Sequence, residues 1–566
     1  MNGILSNKLE KMILLGNEAI VRGALEAGVN FVSTFPGTPA SEIGDVFSEI
    51  SKSKKANLYF EYSTNEKVAL EAAAGAAFSG LNSLVAMKHF GLNVASDALL
   101  PIVYTGVEGA MVVVVADDPG CWSSAQTEQD TRYYAEMAHL LMLEPSTSQE
   151  CKDFTKLAFD ISKKFKIPVM VRTTTRVAHQ SAPVELFNIQ YPTSKIQKPI
   201  KSGRFSTMPP NVLRMKKELL EKLEKIRAFS EGSKLNQISN PASREKFGIV
   251  CSGVSYLYVM EALEELGLKL PVLRLGFTYP FPKKIVNNFI KNLKKILVVE
   301  ELESYLEEKV KAQAKEANPK LKIFGSGLPK IGELKPEYVL QAIAEISGKK
   351  INLNLKIHQQ NFQKLELLKR FPNLCPGCPY WLVFSAIKKA APKNTIFGGD
   401  IGCYMLAGCP PHNIQDWLIS MGSSIGIAHG VCNASKSKIK NQKSKIKVND
   451  QKAISFIGDS TFFHAGIPAL INTVFNKSNP LIIILDNGTT GMTGHQPHPG
   501  VGKTGSGEAT RAIKIEDIVL ACGVKNLKVI DPVNQEEFIN TLKEFLEKEE
   551  VSVIIARHPC IFLKKS

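Results

Sequence analysis

At 566 residues, with 44% hydrophobic and 22% charged residues, the chain is too long for one core and has the composition of a folded protein of about three domains. Its longest apolar runs, such as Met111 to Ala116 and Leu481 to Leu485, are too short to cross a bilayer. The N-terminus M-N-G-I-L-S-N-K-L-E-K-M also lacks a signal peptide's apolar core and cleavage site, so a cytoplasmic protein with no membrane role is expected. The formal charge of +16 does not imply nucleic acid, because much of the excess lies in the lysine-rich run from Ser435 to Lys447, which carries no aromatic or arginine and reads as a solvated insertion.

From Leu14 the spacing predicts a helix ending near Gly28, then a strand leading to P-G-T-P-A-S-E at Pro36. Thr38 before Pro39 fits a helix N-cap, or equally a strand-end turn facing a ligand. The run beginning at Tyr59 predicts a strand entering a helix of small residues, Ala72 to Ala77, which allow close helix packing. Glu66 falls in the first turn of that helix, where a glutamate commonly just answers the helix dipole. The alternation of strands and helices continues to about His179 and describes a doubly wound α/β domain over residues 1–185. Its strand-end loops would present His89, Asn93 and the stretch from Asp117 to Gln129 on one edge.

Residues 186–246 read as a linker with a docking helix, its apolar stripe at Val212, Met215, Leu219, Leu220, Leu223 and Ile226. A compact α/β unit with no dense set of ligand-type residues follows over 247–350, and a last domain over 355–566.

In the last domain the strand A-I-S-F-I-G stops at Gly458, and a second buried strand, L-I-I-I-L-D, gives way at Asn487. Two parallel strands would then end side by side, presenting Asp459 and Asn487 as oxygen ligands suited to Mg²⁺. Gly458 would leave room for a close ligand approach, and a helix over about Ala465 to Asn476 is expected beyond it.

The ten cysteines, in a chain without a secretory signal, argue against a disulfide framework. Cys151, Cys251 and Cys522 lie in apolar contexts and read as core, whereas Cys121, Cys409 and Cys432 have no evident role. Cys375 and Cys378 form a Cys-x-x-Cys pair that suits zinc or redox chemistry, although no second such pair is present for a zinc ribbon. Cys403 comes 25 residues after Cys378, and Cys560, after a terminal strand, would make a set of four thiolates as a cubane cluster requires.

The triplet Gly458-Asp459-Ser460, followed after 26 residues by Asn487, is similar to the thiamine diphosphate signature. Ser460 stands where that signature commonly has a third glycine. With F-P-G-T-P-A-S-E, N-E-K-V-A-L-E, M-K-H-F-G-L-N-V-A, A-D-D-P-G, R-Y-Y-A, C-P-G-C-P and G-D-S-T-F-F-H, the whole chain resembles the large subunits of indolepyruvate ferredoxin oxidoreductases, within the pyruvate:ferredoxin oxidoreductase superfamily.

The resemblance implies doubly wound pyrimidine-binding and diphosphate-binding domains flanking a transketolase-C-like one. It implies that Glu66 activates the thiamine pyrimidine, that Thr38 lines the cofactor and substrate site, and that Asp459, Asn487 and the Thr489 carbonyl hold Mg²⁺ beside Gly458 and Ser460. Cys375, Cys378, Cys403 and Cys560 would hold a 4Fe-4S cluster. The implied reaction is oxidative decarboxylation of an aryl 2-oxo acid to an acyl-coenzyme A with reduction of ferredoxin, in a hetero-oligomer with a small β-subunit. A non-oxidative thiamine-dependent decarboxylase or lyase is the alternative, sharing Glu66, Asp459 and Asn487 but needing no cluster. Trp122, His464 and His495 are the nearest candidates for pocket walls, with packing as the competing role for each. Large subunits of this family commonly continue into a ferredoxin-like module, which this sequence does not contain, so electrons are expected to leave through another polypeptide or directly to ferredoxin.

Overall fold

The computed structural model describes residues 3–563 except 8, 191–202, 242, 244, 326, 352–364, 366–369 and 437–451. The lysine-rich insertion therefore lies outside the described residues, apart from its first two positions at the end of a helix. The chain divides into two compact units, Met1–Glu366 and Leu367–Ser566.

The first part of unit one contributes β1 (Lys11–Leu15), β2 (Phe31–Thr34), β3 (Tyr59–Tyr62), β4 (Ser83–Lys88), β5 (Met111–Asp117), β6 (Leu141–Leu143), β7 (Val169–Thr174) and β8 (Ser181–Glu185). Its second part adds β9 (Asn236–Ser239), β10 (Phe247–Cys251), β11 (Val272–Leu275), β12 (Phe277–Tyr279), β13 (Lys295–Val299) and β14 (Lys322–Phe324). One sheet has the order β12-β6-β7-β5-β4-β2-β3, parallel except for β12. Every residue of β5 is buried, as a strand covered on both faces by helices demands. From β2 the chain moves outward to β3, then returns to β4 on the other side of β2. The switch point of this doubly wound sheet thus lies between β2 and β4.

The second sheet, β14-β13-β10-β11-β9, is parallel except for β9. Strand β12, although later in sequence than most of this sheet, pairs with β6 of the first, and one apolar core runs from Ile4 to Ile343 beneath both. One buried ion pair, Arg132 with Glu300, joins the two parts further, and others bind the first part internally. Arg132 donates to Asp130 and to Glu300 at 2.7 Å, and Arg172 donates to Asp117 and Glu144, each at 2.8 Å. In the docking helix Asn211–Glu231 the buried stripe is Met215, Leu219, Leu223 and Ile226; Leu220 is exposed, because it lies one residue off that face.

Unit two carries β15 (Ile396–Gly398), β16 (Ala453–Gly458), β17 (Leu481–Asp486), β18 (Asn526–Ile530) and β19 (Ser552–Arg557) in one fully parallel sheet ordered β15-β16-β17-β19-β18. The segment after β16 is helical from Asp459, with a π-turn over Phe462–Gly466 before the helix Ile467–Phe475, so it starts earlier than its apolar spacing suggests. Among the described residues no helix is long and apolar enough to cross a membrane.

Candidate functional site

The carboxyl edge of the first sheet gathers Thr38, Glu66, Lys88, His89 and the loop after β5. Thr38 is not a helix cap. It lies in a turn closed by the Ala40 N–H donating to the Gly37 carbonyl at 2.8 Å, and the helix begins only at Ser41, whose hydroxyl is 3.3 Å from Thr38 Oγ1. Glu66 opens the helix Glu66–Phe78, behind Asn65, whose side chain caps it by accepting from the Val68 N–H at 2.9 Å. The Glu66 side chain is buried, and the space it occupies exists because residue 91 is glycine: a Cβ there would stand 2.6 Å from Glu66 Cγ.

His89 is fully buried, with Nδ1 3.4 Å from the Ala116 carbonyl and Nε2 3.3 Å from that of Thr127, and burial holds its pKa below the ordinary value. Asn93 donates to Gln129 at 2.8 Å, and Trp122 is exposed. Asp118 organises the loop by accepting from the Ser123 N–H at 2.8 Å and the Ser124 hydroxyl at 2.7 Å. Lys88, the last residue of β4, was not singled out in the sequence, since a lysine at a strand end is ordinarily a solvated charge. Here its stem packs on Gly37, and its ammonium donates to the Ser123 carbonyl at 3.0 Å.

The carboxyl edge of the sheet in unit two is built on Asp459. Its Oδ1 accepts from the Ser460 N–H at 2.7 Å, and its Oδ2 from the Asn487 and Gly488 N–H groups at 3.2 and 2.8 Å. His498, missed in the sequence, completes this carboxylate: Nδ1 accepts from the Gly500 N–H at 3.1 Å, so Nε2, 3.1 Å from Asp459 Oδ2, carries the proton. Asn487 Oδ1 accepts from the Thr489 N–H at 3.0 Å, and the Thr490 hydroxyl donates to that of Ser460 at 3.0 Å, tying the ends of β16 and β17. The space left by Gly458 is filled by the Tyr404 ring, which a Cβ would meet at 2.7 Å; that glycine serves packing, contrary to the expectation of an opening for a ligand.

Asp400, also unforeseen, is buried and accepts from the Ile401, Gly422 and Ser424 N–H groups; it thereby fixes the start of the helix Ser423–Lys436, and burial raises its pKa to about 6. His464 is buried in the π-turn.

Beside this edge lies a cavity of about 120 Å³ lined by Cys375, Cys378, Cys403 and Cys560 together with Tyr380, Asn487 and His495. The strand pairing explains the convergence. Strand β19 runs parallel to β17, and just past its end the Cys560 N–H donates to the Asn487 carbonyl at 3.0 Å. The Cys375–Cys378 turn is closed by the Cys378 N–H on the Cys375 carbonyl at 3.0 Å. Burial, and then the neighbouring thiols, push the Cys403 thiol up to about 11. His495 has a positive φ of 66°, is exposed, and its ring centroid lies 6.0 Å from that of Phe562 at the cavity wall.

Of the remaining cysteines, Cys151, Cys251 and Cys432 are buried in cores, Cys522 packs against one, and Cys121 and Cys409 are half-buried. No group of three or more metal-ligating side chains converges on a single ion among the described residues. A cubane cluster asks something different, one thiolate for each of four irons around a central volume, and the cavity offers that donor set. The Asp459 carboxylate, the Asn487 amide oxygen and the Thr489 carbonyl are hard oxygen donors of the kind Mg²⁺ takes, and a helix starts at Asp459, where N–H groups favour an anion.

Comparison with known proteins agrees with this geometry. Residues 22–223 match the family described as pyruvate flavodoxin/ferredoxin oxidoreductase, thiamine diphosphate-binding, and residues 400–556 match the C-terminal TPP-binding domain of thiamine pyrophosphate enzymes. Fold and matches together define a thiamine diphosphate-dependent 2-oxo acid oxidoreductase. Residues 237–356 match the indolepyruvate oxidoreductase domain. The chain is 44% identical to indolepyruvate oxidoreductase subunit IorA of Methanothermobacter marburgensis, over 98% of this chain and 87% of that one. It is 42% identical to the IorA of Thermococcus kodakarensis, over 98% and 86%. The chain belongs to the indolepyruvate oxidoreductase subunit IorA family. Among solved structures, a 2-oxoglutarate:ferredoxin oxidoreductase from Magnetococcus marinus superposes with a TM-score of 0.48 at 18% identity, covering 60% of this chain and 65% of that one.

Proposed function

We propose that this subunit carries out oxidative decarboxylation of aryl 2-oxo acids, indolepyruvate among them, passing the acyl group to coenzyme A and two electrons, one at a time, to ferredoxin. The balanced reaction takes one 2-oxo acid anion, one coenzyme A thiol and two oxidised ferredoxins to acyl-coenzyme A, CO₂, two reduced ferredoxins and one proton. When bound, thiamine diphosphate supplies the nucleophilic carbon and the electron sink that this carbon–carbon cleavage needs.

The chain's own groups supply the rest. Glu66 would hold a proton against the pyrimidine ring from its buried carboxyl, with Gly91 keeping the space and Asn65 fixing the helix start. Thr38 would line the same pocket. Asp459, Asn487 and the Thr489 carbonyl would hold Mg²⁺, with Gly458 and Ser460 at the turn and His498 orienting the carboxylate from behind. Cys375, Cys378, Cys403 and Cys560 would hold a 4Fe-4S cluster. A small β-subunit would complete the hetero-oligomer. In domain terms, the pyrimidine site belongs to 1–185 and the diphosphate site to 355–566.

The redox half rests on one observation: thiols from three separate stretches of chain line the same cavity as Asn487. The test is anaerobic incubation of the assembled enzyme with indolepyruvate, coenzyme A and an artificial one-electron acceptor. Thiamine-dependent reduction of the acceptor is expected; its absence, in protein that contains iron, overturns the proposal.

A further inference from the structure

Among the described residues, Arg132, Arg172, Arg176 and His179 around the carboxyl edge of the first sheet are paired with carboxylates, and Lys88 is the exception. Arg172 meets Asp117 and Glu144, Arg132 meets Asp130 and Glu300, Arg176 meets Glu333, and His179 faces Glu42 at 3.4 Å. Lys88 has no carboxylate within 4.0 Å of its Nζ among the described residues. Its ammonium donates to one backbone carbonyl, that of Ser123, and stands 5.3 Å from the centroid of the Phe90 ring. Two of its three N–H donors are left for something else. Burial pulls its pKa down to about 8, against the opposing field of Asp118, Glu66 and Cys121. Lys88 is half-buried, so its ammonium is only partly desolvated, and the cost of holding such a cation without an ion-pair partner falls when an anion arrives.

Location says which anion. Lys88 ends β4 and packs against the turn that follows β2, the two strands flanking the switch point; a Cβ on Gly37 would lie 3.0 Å from Lys88 Cδ. Crevices at such points are where doubly wound sheets hold their ligands. Thr38 is the next residue of that turn, and Glu66 is close enough for its charge to be felt at Lys88. We infer that Lys88 binds the carboxylate of the 2-oxo acid in this crevice, so that the substrate's one invariant anionic group, and not its aryl ring, is what this subunit recognises by charge. The inference rests on the proposed reaction.

The test uses the assembled enzyme with Lys88→Met and Lys88→Arg, measuring kcat and KM for indolepyruvate and for coenzyme A, and inhibition by indole-3-acetate and by the neutral indole-3-acetamide. Loss of a desolvated charge pair predicts a KM for indolepyruvate raised on the order of 30- to 100-fold in Lys88→Met and far less in Lys88→Arg, with the KM for coenzyme A unchanged. The wild type should prefer the acetate to the acetamide, and Lys88→Met should lose that preference.

A KM for indolepyruvate within about threefold of wild type overturns the inference, as does an equal weakening of acetate and acetamide, which marks a packing role. A raised KM for coenzyme A alone also overturns it and assigns Lys88 to a phosphate. If Lys88→Met does not fold, Lys88→Gln takes its place with the same expectations. A wild-type enzyme that turns over no 2-oxo acid overturns the proposed reaction and this inference together, whereas an active wild type with an unaffected variant overturns the inference alone.

Discussion

At the carboxyl edge of the sheet in unit two, each oxygen of Asp459 already has a donor, and three of its four partners are backbone N–H groups; at the carboxyl edge of the first sheet, Lys88 has one carbonyl and, among the described residues, no carboxylate. The difference separates two ways of preparing a site. Asp459 sits in a frame whose hydrogen bonds are internally satisfied, and a metal there would compete with N–H groups for the carboxylate. Lys88 sits in a frame that is electrically incomplete until an anion enters. A half-buried cation without a carboxylate partner gains more from an incoming anion than a carboxylate that is already fully hydrogen-bonded, so the second kind of site points to its ligand more directly than the first.

The comparison breaks most visibly at the thiols. Cys403→Ser removes one of four sulfurs from a cavity whose other polar lining includes Tyr380, Asn487 and His495. Anaerobically purified wild type is expected to show the broad visible absorption of an iron–sulfur centre, and the variant to lose most of its iron and its electron transfer to an artificial acceptor. Iron content near zero in the wild type would leave the cavity an apolar packing defect. Next in size is Glu66→Gln, which keeps the shape packed against Gly91 and removes the exchangeable proton. General acid–base contributions of about 10² to 10⁴ predict a fall in kcat of that order with iron content unchanged. A loss under tenfold would assign Glu66 to the helix dipole.

How much of this was legible in the sequence follows from where the information resides. Asp459, Asn487 and Cys560 stand at or just past strand ends marked by buried apolar runs, and parallel pairing of β16, β17 and β19 carries such positions to one edge with little freedom, whereas Cys375, Cys378 and Cys403 lie in turns and were picked out by their spacing. Glu66 is legible for the same reason. His498 and Asp400 were not, because each lies in irregular chain and meets its partner through loop geometry that no periodicity encodes. Leu220 was read as part of an apolar stripe because hydrophobicity alone cannot tell the edge of a helix face from its centre. Thr38 failed as a cap because the turn over Gly37–Ala40, closed by its own hydrogen bond, delays the helix to Ser41. Lys88 was invisible since what distinguishes it is a missing partner, a property of the fold and not of the residue.

The charge at Lys88 also sets a pH dependence that sharpens the contrast. Its pKa is lowered to about 8, by burial first, with Asp118, Glu66 and Cys121 opposing; burial also lowers the pKa of its chain neighbour His89. Carboxylate binding needs the ammonium form, which is complete below that pH and is lost as pH rises through it. Since kcat/KM reports groups of the free enzyme, its profile for indolepyruvate is expected to fall with a limb near pH 8, and Lys88→Met is expected to abolish that limb. An unchanged limb in the variant assigns it elsewhere.

The smallest effect is expected within the satisfied frame itself. The Thr490 hydroxyl donates to that of Ser460 at 3.0 Å and so links the ends of β16 and β17. Ser460→Ala removes the acceptor and leaves Thr490 half-buried with access to water, so the cost is that of one neutral hydrogen bond, about 1 kcal/mol. In a unit of this size that lowers the melting temperature by about 2–4 °C. Thr490→Val should cost about the same. If the bond is the whole effect, the double variant costs no more than either single one, and the coupling read from the cycle is about 1 kcal/mol. Full additivity of the two losses would mean that the hydroxyls act independently. The strand ends would then be positioned by backbone pairing and by Asp459 alone, and the satisfied frame would owe its shape to one carboxylate and not to a network.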